Sequence, residues 1–251
     1  MLGCFERGLY PGVSRAVRAL LPQIAVPARQ GCCGALHAHN GESERGRVLA
    51  RRLGGELPGV IVTTAGGCAA HLASVLGRDR VHELSEHLAR TGAAPTGELT
   101  VEGRRARVAI QDSCHLRNGL GVSAEPRELI AAVAEFVPVS GDGSCCGSAG
   151  TYSLLRPRDS RRILDPKLDA YEQAGLDYVV TVNPGCLRQL QTGLRRRGSR
   201  VRAVHLADLL AAAAGGRPLP QGVPWRPAVP WSRRRGSRHR GAARSSGGWS
   251  A

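Results

Sequence analysis

The sequence predicts an α/β protein built from two tandem copies of one unit, each a small parallel sheet with flanking helices. Three observations predict it. First, the eight cysteines form two ordered quartets. The doublet Cys32-Cys33 has Cys4 28 positions upstream and Cys68 35 downstream, and the doublet Cys145-Cys146 has Cys114 31 upstream and Cys186 40 downstream. Second, the last cysteine of each quartet ends the same string of strand, turn and helix start. Gly59-Val60-Ile61-Val62-Thr63-Thr64 runs into Ala65-Gly66-Gly67-Cys68, and Tyr178-Val179-Val180-Thr181-Val182 runs into Asn183-Pro184-Gly185-Cys186. Third, strands alternate with helices throughout, the signature of parallel α/β units, and a repeat of this kind governs every other reading of the chain.

Taken in order, Ser14 to Leu21 predicts a short helix with Ser14 as N-cap and Pro22 as its stop. Ile24-Ala25-Val26-Pro27 predicts a strand delivering the first doublet, and Glu42 to Leu53 a helix bearing Val48, Leu49 and Leu53. Each copy closes on a short strand and helix, Arg80 to Ser85 and Val201 to Leu210, in which His82 and His205 read as equivalent structural residues. Thr91 to Gly97 is the link, so the copies divide as 1–95 and 96–215. Arg107 to Asp112 is a buried strand leading to Cys114. The first copy has no such strand before Cys4, which reads as a truncated or misassigned start that leaves a sheet edge unpaired.

Composition narrows the class. The chain has 251 residues, is 42% hydrophobic and contains no apolar run of membrane-spanning length. Met1-Leu2-Gly3-Cys4 lacks the charged and apolar stretches of an export signal, so the cytoplasm, with reduced thiols, is the default setting. Of the net charge of +15, +8 lies in 216–251, an Arg/Pro/Gly/Ser-rich tail around Trp225, Trp231 and Trp249 that is expected to be disordered and reads as an extension, not as a specific nucleic-acid site. Lys167 is the one lysine among 35 basic residues, which reads as coding bias.

In that setting the quartets point to metal. All four cysteine positions of a copy lie where ligands gather in open α/β sheets, beyond the carboxyl ends of strands. Neighbouring glycines let the backbone approach a bulky group. Structural zinc favours C-x2-C pairs, which are absent, whereas adjacent cysteines reach different irons of a cluster and four thiolates are what a 4Fe-4S cluster requires. The favoured ligands are Cys4, Cys32, Cys33 and Cys68 for one cluster and Cys114, Cys145, Cys146 and Cys186 for another. A zinc-bound module and metal-free redox-active vicinal thiols stay open as alternatives. His37, His39 and His115 stand beside cysteines and are candidates to orient or tune a cluster through hydrogen bonds.

Gly31-Cys32-Cys33-Gly34-Ala35-Leu36-His37-Ala38-His39, Asp112-Ser113-Cys114-His115-Leu116-Arg117, Cys145-Cys146-Gly147-Ser148-Ala149-Gly150-Thr151-Tyr152 and Asn183-Pro184-Gly185-Cys186 resemble the cysteine-rich CCG-domain proteins, most closely the iron-sulfur subunits of glycolate oxidase. Heterodisulfide reductase subunits, lactate-utilisation proteins and an anaerobic glycerol-3-phosphate dehydrogenase subunit share the domain pair. The resemblance implies an electron-transfer subunit, with FAD on a partner that oxidises glycolate to glyoxylate and a quinone or similar acceptor downstream. It also implies attachment to the cytoplasmic face of the inner membrane through the complex. Two departures stand out. Fuller CCG domains end in C-x-x-C, where this chain has Ala65 and Asn183, and the ferredoxin-like C-x2-C-x2-C-x3-C-P runs of such subunits are missing from this sequence. Gly141-Asp142-Gly143-Ser144-Cys145-Cys146-Gly147 misses the dinucleotide fingerprint by one residue, and neither a G-x-S-x-G elbow nor H-E-x-x-H is present, so no flavin, nicotinamide or hydrolase site is expected.

Overall fold

The computed structural model describes residues 1–28, 30–215 and Leu219, so nearly all of the arginine-rich tail lies outside the described residues. The first half runs α1 (Cys4–Leu9), α2 (Pro11–Leu20), α3 (Ala35–His39), α4 (Ser43–Glu56), β1 (Ile61–Thr63), α5 (Gly66–Leu76), β2 (Val81–Glu83) and α6 (Leu84–Thr91). A short antiparallel hairpin, β3 (Thr100–Val101) and β4 (Arg104–Arg105), connects the halves. The second half runs β5 (Arg107–Ile110), α7 (Cys114–Leu120), α8 (Ala124–Val133), β6 (Glu135–Phe136), α9 (Tyr152–Leu155), α10 (Pro157–Gln173), β7 (Tyr178–Thr181), α11 (Pro184–Arg197), β8 (Arg202–His205) and α12 (Leu206–Ala213).

The second half carries a parallel sheet in the order β6-β5-β7-β8. Strands β5, β7 and β8 are buried on both faces and alternate between two cores, as period-two side chains must, while β6 is a short edge strand. Val108, Ile110, Val180 and Val204 pack with α2, α8 and α12, while Ala109, Val179 and Ala203 pack with α10 and α11. In the first half β1 pairs in parallel with β2, Thr63 opposite Glu83, just as Thr181 lies opposite His205 in the second. Among the described residues β1 has no strand on its other flank. Instead the Met1 amine donates to the Val62 carbonyl at 2.6 Å, the register in which the Gln111 amide donates to the Val180 carbonyl at 2.7 Å.

Several expected elements differ. Ile24 to Pro27 forms no strand. Its counterpart β6 is held only by β5, and where no β5-like strand stands beside Ile24 an extended segment has nothing to pair with. The first helix starts at Pro11, whose fixed φ suits a first helical position, so Ser14 is inside the helix and donates to Glu6 Oε1 at 3.3 Å. The helix expected over Glu42 to Leu53 runs Ser43–Glu56, and α1 and α3 add helical turns not expected from periodicity. Of the cysteine positions expected just after strands, the doublets are exceptions. Cys32-Cys33 follows coil, and Cys145-Cys146 sits in a loop well beyond β6.

The halves share one core, arranged as a pseudo-twofold pair. Helix α2 packs on α12 as its twin α8 packs on α6, and α5 packs on α7 as its twin α11 packs on α1. Exchanging the halves maps these contacts onto themselves, the property of an isologous interface. Val62, Leu84 and Leu88 of the first half lie in the same buried cluster as Val108, Leu129 and Leu206 of the second.

The strand register also corrects one equivalence. The twin of His205 is Glu83, not His82, because these two face Thr181 and Thr63 and each caps the following helix. Gly66 donates its amide to the Val182 carbonyl at 3.0 Å across the interface, but its twin Pro184 has no N–H to return to Thr64. His205 fills that place, its Nε2 2.9 Å from the Thr64 carbonyl while Nδ1 accepts from the Ala207 amide at 3.1 Å. Burial holds His205 down to about 4.

Glu83 has no such task. Its Oε2 accepts from the amide and hydroxyl of Ser85, while the buried Oε1 has no partner. Burial raises its carboxyl from 4.5 to about 7, so the fold favours the neutral form. Stability is then complete below pH 4.5, falls as pH rises to about 7 and stays low above it. Glu83→Gln removes that loss. The variant is expected to gain about 3 kcal/mol over the parent at pH 8 and about nothing at pH 4.5, read from urea midpoints at the two pH values. An equal change at both would show that Glu83 is not buried as the neutral acid.

Candidate metal centre

Four of the cysteines occupy first turns of helices, Cys4 in α1, Cys68 in α5, Cys114 in α7 and Cys186 in α11. The doublets stand on the loops that enter α3 and α9. In both copies the glycine after the doublet adopts φ near +80°, Gly34 at +82° and Gly147 at +81°. That turn folds the backbone over the thiols, with the Gly34 amide 3.4 Å from Cys32 Sγ and the Gly147 amide 3.3 Å from Cys145 Sγ. Further amides point at sulfur in matched pairs, Ala35 at Cys33 and Ser148 at Cys146, Phe5 at Cys4 and His115 at Cys114.

All eight thiols are free, and each quartet converges. Cys4 Sγ lies 3.9 Å from Cys32 Sγ and Cys33 Sγ 3.0 Å from Cys68 Sγ. In the second copy Cys114 lies beside Cys145, and Cys146 Sγ lies 3.0 Å from Cys186 Sγ. Residues about 30 to 40 positions apart in sequence thus meet in two groups of four. One thiol of each group ionises readily. Hydrogen bonds, from Cys33 and Cys4 to Cys32 and from Cys114 and Cys146 to Cys145, hold these two well below the usual thiol range. Their partners Cys4, Cys33, Cys114 and Cys146 are pushed up, first by sharing a hydrogen bond with that thiolate and then by burial. Among the described residues no three His, Cys, Asp or Glu side chains are placed to hold a single metal ion. The donor set of each group, four soft thiols met by backbone N–H groups, suits a cluster of several irons.

The pseudo-twofold axis turns the two groups toward each other. Helices α5 and α7, which carry Cys68 and Cys114, are in contact, and Gly66 at the start of α5 lies so close to Ser113 before α7 that an added Cβ would come 2.6 Å from its Oγ. His39 of the first copy stacks on His115 of the second with ring centroids 4.7 Å apart, and His115 Nδ1 lies 3.6 Å from Cys114 Sγ. His37 sits on the outer side, its Nδ1 2.6 Å from Glu42 Oε2. Of the positions where C-x-x-C would put a fifth thiol, Ala65 is the N-cap of α5, and Asn183 caps α11 by accepting from the Gly185 amide at 3.1 Å.

A polar scaffold not foreseen from sequence holds the second doublet. Gln111 Nε2 donates to the carbonyls of Asp112, Asp142 and Ser144, and Tyr171 donates its hydroxyl to Gln111 Oε1 at 3.1 Å. Arg127 donates to both oxygens of buried Asp112 and to Asp142 Oδ2 at 2.7 Å, joining the end of β5 to the loop before Cys145. Lys167 donates to the Gly141 carbonyl of the same loop at 2.5 Å. The signal for Lys167 was its solitude in an arginine-rich chain, whereas Gln111 and Arg127 carry no sequence mark.

Fold and site together define a class, a paired α/β protein with four convergent thiols per half. The cysteine-rich domain family, CCG, matches residues 1–73 and 108–191, and the chain belongs to that family. It is 37% identical over 240 residues to the probable glycolate oxidase iron-sulfur subunit of Bacillus subtilis, an alignment covering 85% of this chain and 54% of that protein. It is 28% identical to a fumarate reductase (CoM/CoB) subunit of Methanothermobacter marburgensis, covering 84% of the chain and 45% of the relative. Lactate utilization protein A of Exiguobacterium is 26% identical, covering 82% of the chain and 94% of the relative. The chain therefore spans about half the length of the first two and nearly all of the third.

Proposed function

We propose that this chain is the iron-sulfur electron-transfer subunit of a complex that oxidises glycolate to glyoxylate, with FAD on a partner subunit and a quinone or similar acceptor downstream. The observation that carries the proposal is the pair of equivalent four-thiol groups, in a chain whose 37% identical relative is named as a glycolate oxidase iron-sulfur subunit. Cys4, Cys32, Cys33 and Cys68 would hold one 4Fe-4S cluster, and Cys114, Cys145, Cys146 and Cys186 the other. When bound, such clusters supply storage and release of single electrons.

The rest is the work of this chain's own residues. Amides of Gly34, Ala35, Gly147 and Ser148 offset the negative charge that thiolates bring into a half-buried site. The shared core fixes the distance between the two groups, so a relay needs no domain movement. Exposed Phe5, Leu36, Tyr152, Leu154 and Leu155 surround the cysteine loops in sequence and offer apolar surface where a partner must come close. No helix among the described residues is long and apolar enough to cross a membrane.

Removing hydride from a C–H bond requires an organic two-electron acceptor, which four-thiol groups do not provide. The cluster-reconstituted chain is therefore expected to reduce a dye with glycolate only when the flavoprotein partner is added, and Cys33→Ser and Cys146→Ser are expected to abolish that coupling. Dye reduction by the chain alone would overturn the reading. One observation favours a second substrate: the match to lactate utilization protein A covers 94% of that protein, so lactate belongs in the same assay.

A further inference from the structure

Resting on that reading, we propose that Lys167 makes the two centres unequal: its buried ammonium favours an added electron at the second quartet, giving that centre the higher reduction potential. The two cysteine groups are otherwise near copies, with the same N–H donors, the same positive-φ glycine and the same order of thiols. Their charged surroundings differ: the first quartet has the Met1 amine beside Cys68, with the buried Glu6 next to it, and the second has Lys167. A Cβ built on Gly34 would meet the Gly46 carbonyl and one on Gly147 the Ser160 carbonyl, so Gly46 and Ser160 are twins on α4 and α10. Seven residues further along each helix stand Leu53, fully buried, and Lys167, 7% exposed.

Lys167 is the chain's one lysine, in a sequence that uses arginine at the other 34 basic positions. Its nitrogen, bonded to the Gly141 carbonyl four residues before Cys145, interacts with the charges of Cys145, Cys146 and Cys186. The nearby acids do not cancel it, since Asp112 and Asp142 are bound to Arg127 and Arg117. At the first quartet the basic groups are each faced by an acid: His37, which acts on Cys32, lies against Glu42, and the Met1 amine, which acts on Cys68, interacts first with the buried Glu6. An electron arriving singly from an outside donor, with no bond made or broken, would therefore settle on the second centre and leave the first as the lower-potential step.

The test is a redox titration of the full-length, reconstituted chain followed by electron paramagnetic resonance. In a Cys33→Ser background, which keeps only the second centre, Lys167→Met should lower the midpoint by at least tenfold in the reduction equilibrium, about 59 mV for one electron. Lys167→Arg should restore most of that shift. In a Cys146→Ser background, which keeps only the first centre, Lys167→Met should move the midpoint much less. An unchanged second midpoint in Lys167→Met, equal shifts in both backgrounds, or a shift that Lys167→Arg does not reverse would each overturn the assignment while the clusters remain. Failure of either background to bind any iron would overturn the underlying cluster reading, and the role of Lys167 with it.

Discussion

Cys33→Ser and Cys146→Ser should each remove about half of the iron and acid-labile sulfide from the reconstituted protein, and the double variant nearly all of it. Each substitution replaces a soft thiolate by a hard oxygen ligand in one group only. Cys33 is buried and bonded to Cys68, Cys146 is buried and bonded to Cys186, and among the described residues no thiol bond crosses from one quartet to the other. Independence is therefore a consequence of the geometry. Total iron loss from either single change would mean that the quartets form one shared site and that the repeat has been misread.

Gly34→Ala and Gly147→Ala should be the most damaging changes that leave every thiol in place. A side chain at φ near +80° costs about 1–2 kcal/mol by itself. The added Cβ would also lie 2.3 Å from the Gly46 carbonyl oxygen in the first case and 2.6 Å from the Ser160 carbonyl oxygen in the second, and neither is a side chain that can turn away. A combined loss of about 3–5 kcal/mol is expected, with the matching group failing to take up iron. Gly55→Ala, in α4 with nothing within 4 Å of its built Cβ, is the control and should stabilise by about 0.5–1 kcal/mol. If all three variants melt alike, the packing of α3 against α4 is not what shapes the first cysteine loop.

The sequence was most informative where local signals and tertiary structure agree. Thr63 and Thr181 end buried parallel strands, and the glycines and proline that follow start helices that place Cys68 and Cys186. Doublets and singles could be grouped by their order alone, and the structure brings each group together. What periodicity could not show depends on contacts between distant segments. Ile24 to Val26 is apolar enough for a strand but has no neighbour to bond, and His82 looks like the partner of His205 until the register makes it Glu83. Lys167 looked like a codon accident because nothing local says that α10 turns that residue toward the second quartet. The pseudo-twofold packing, which stacks His39 on His115, is likewise invisible to any reading of one copy at a time.

Metal and sulfide analysis of the anaerobically purified full-length chain decides whether each four-thiol group holds an iron-sulfur cluster. The expected result is a brown protein with about eight iron and eight sulfide per chain, four of each per quartet, and visible absorbance bleached by dithionite. A colourless protein with about one zinc per quartet and no sulfide would contradict it.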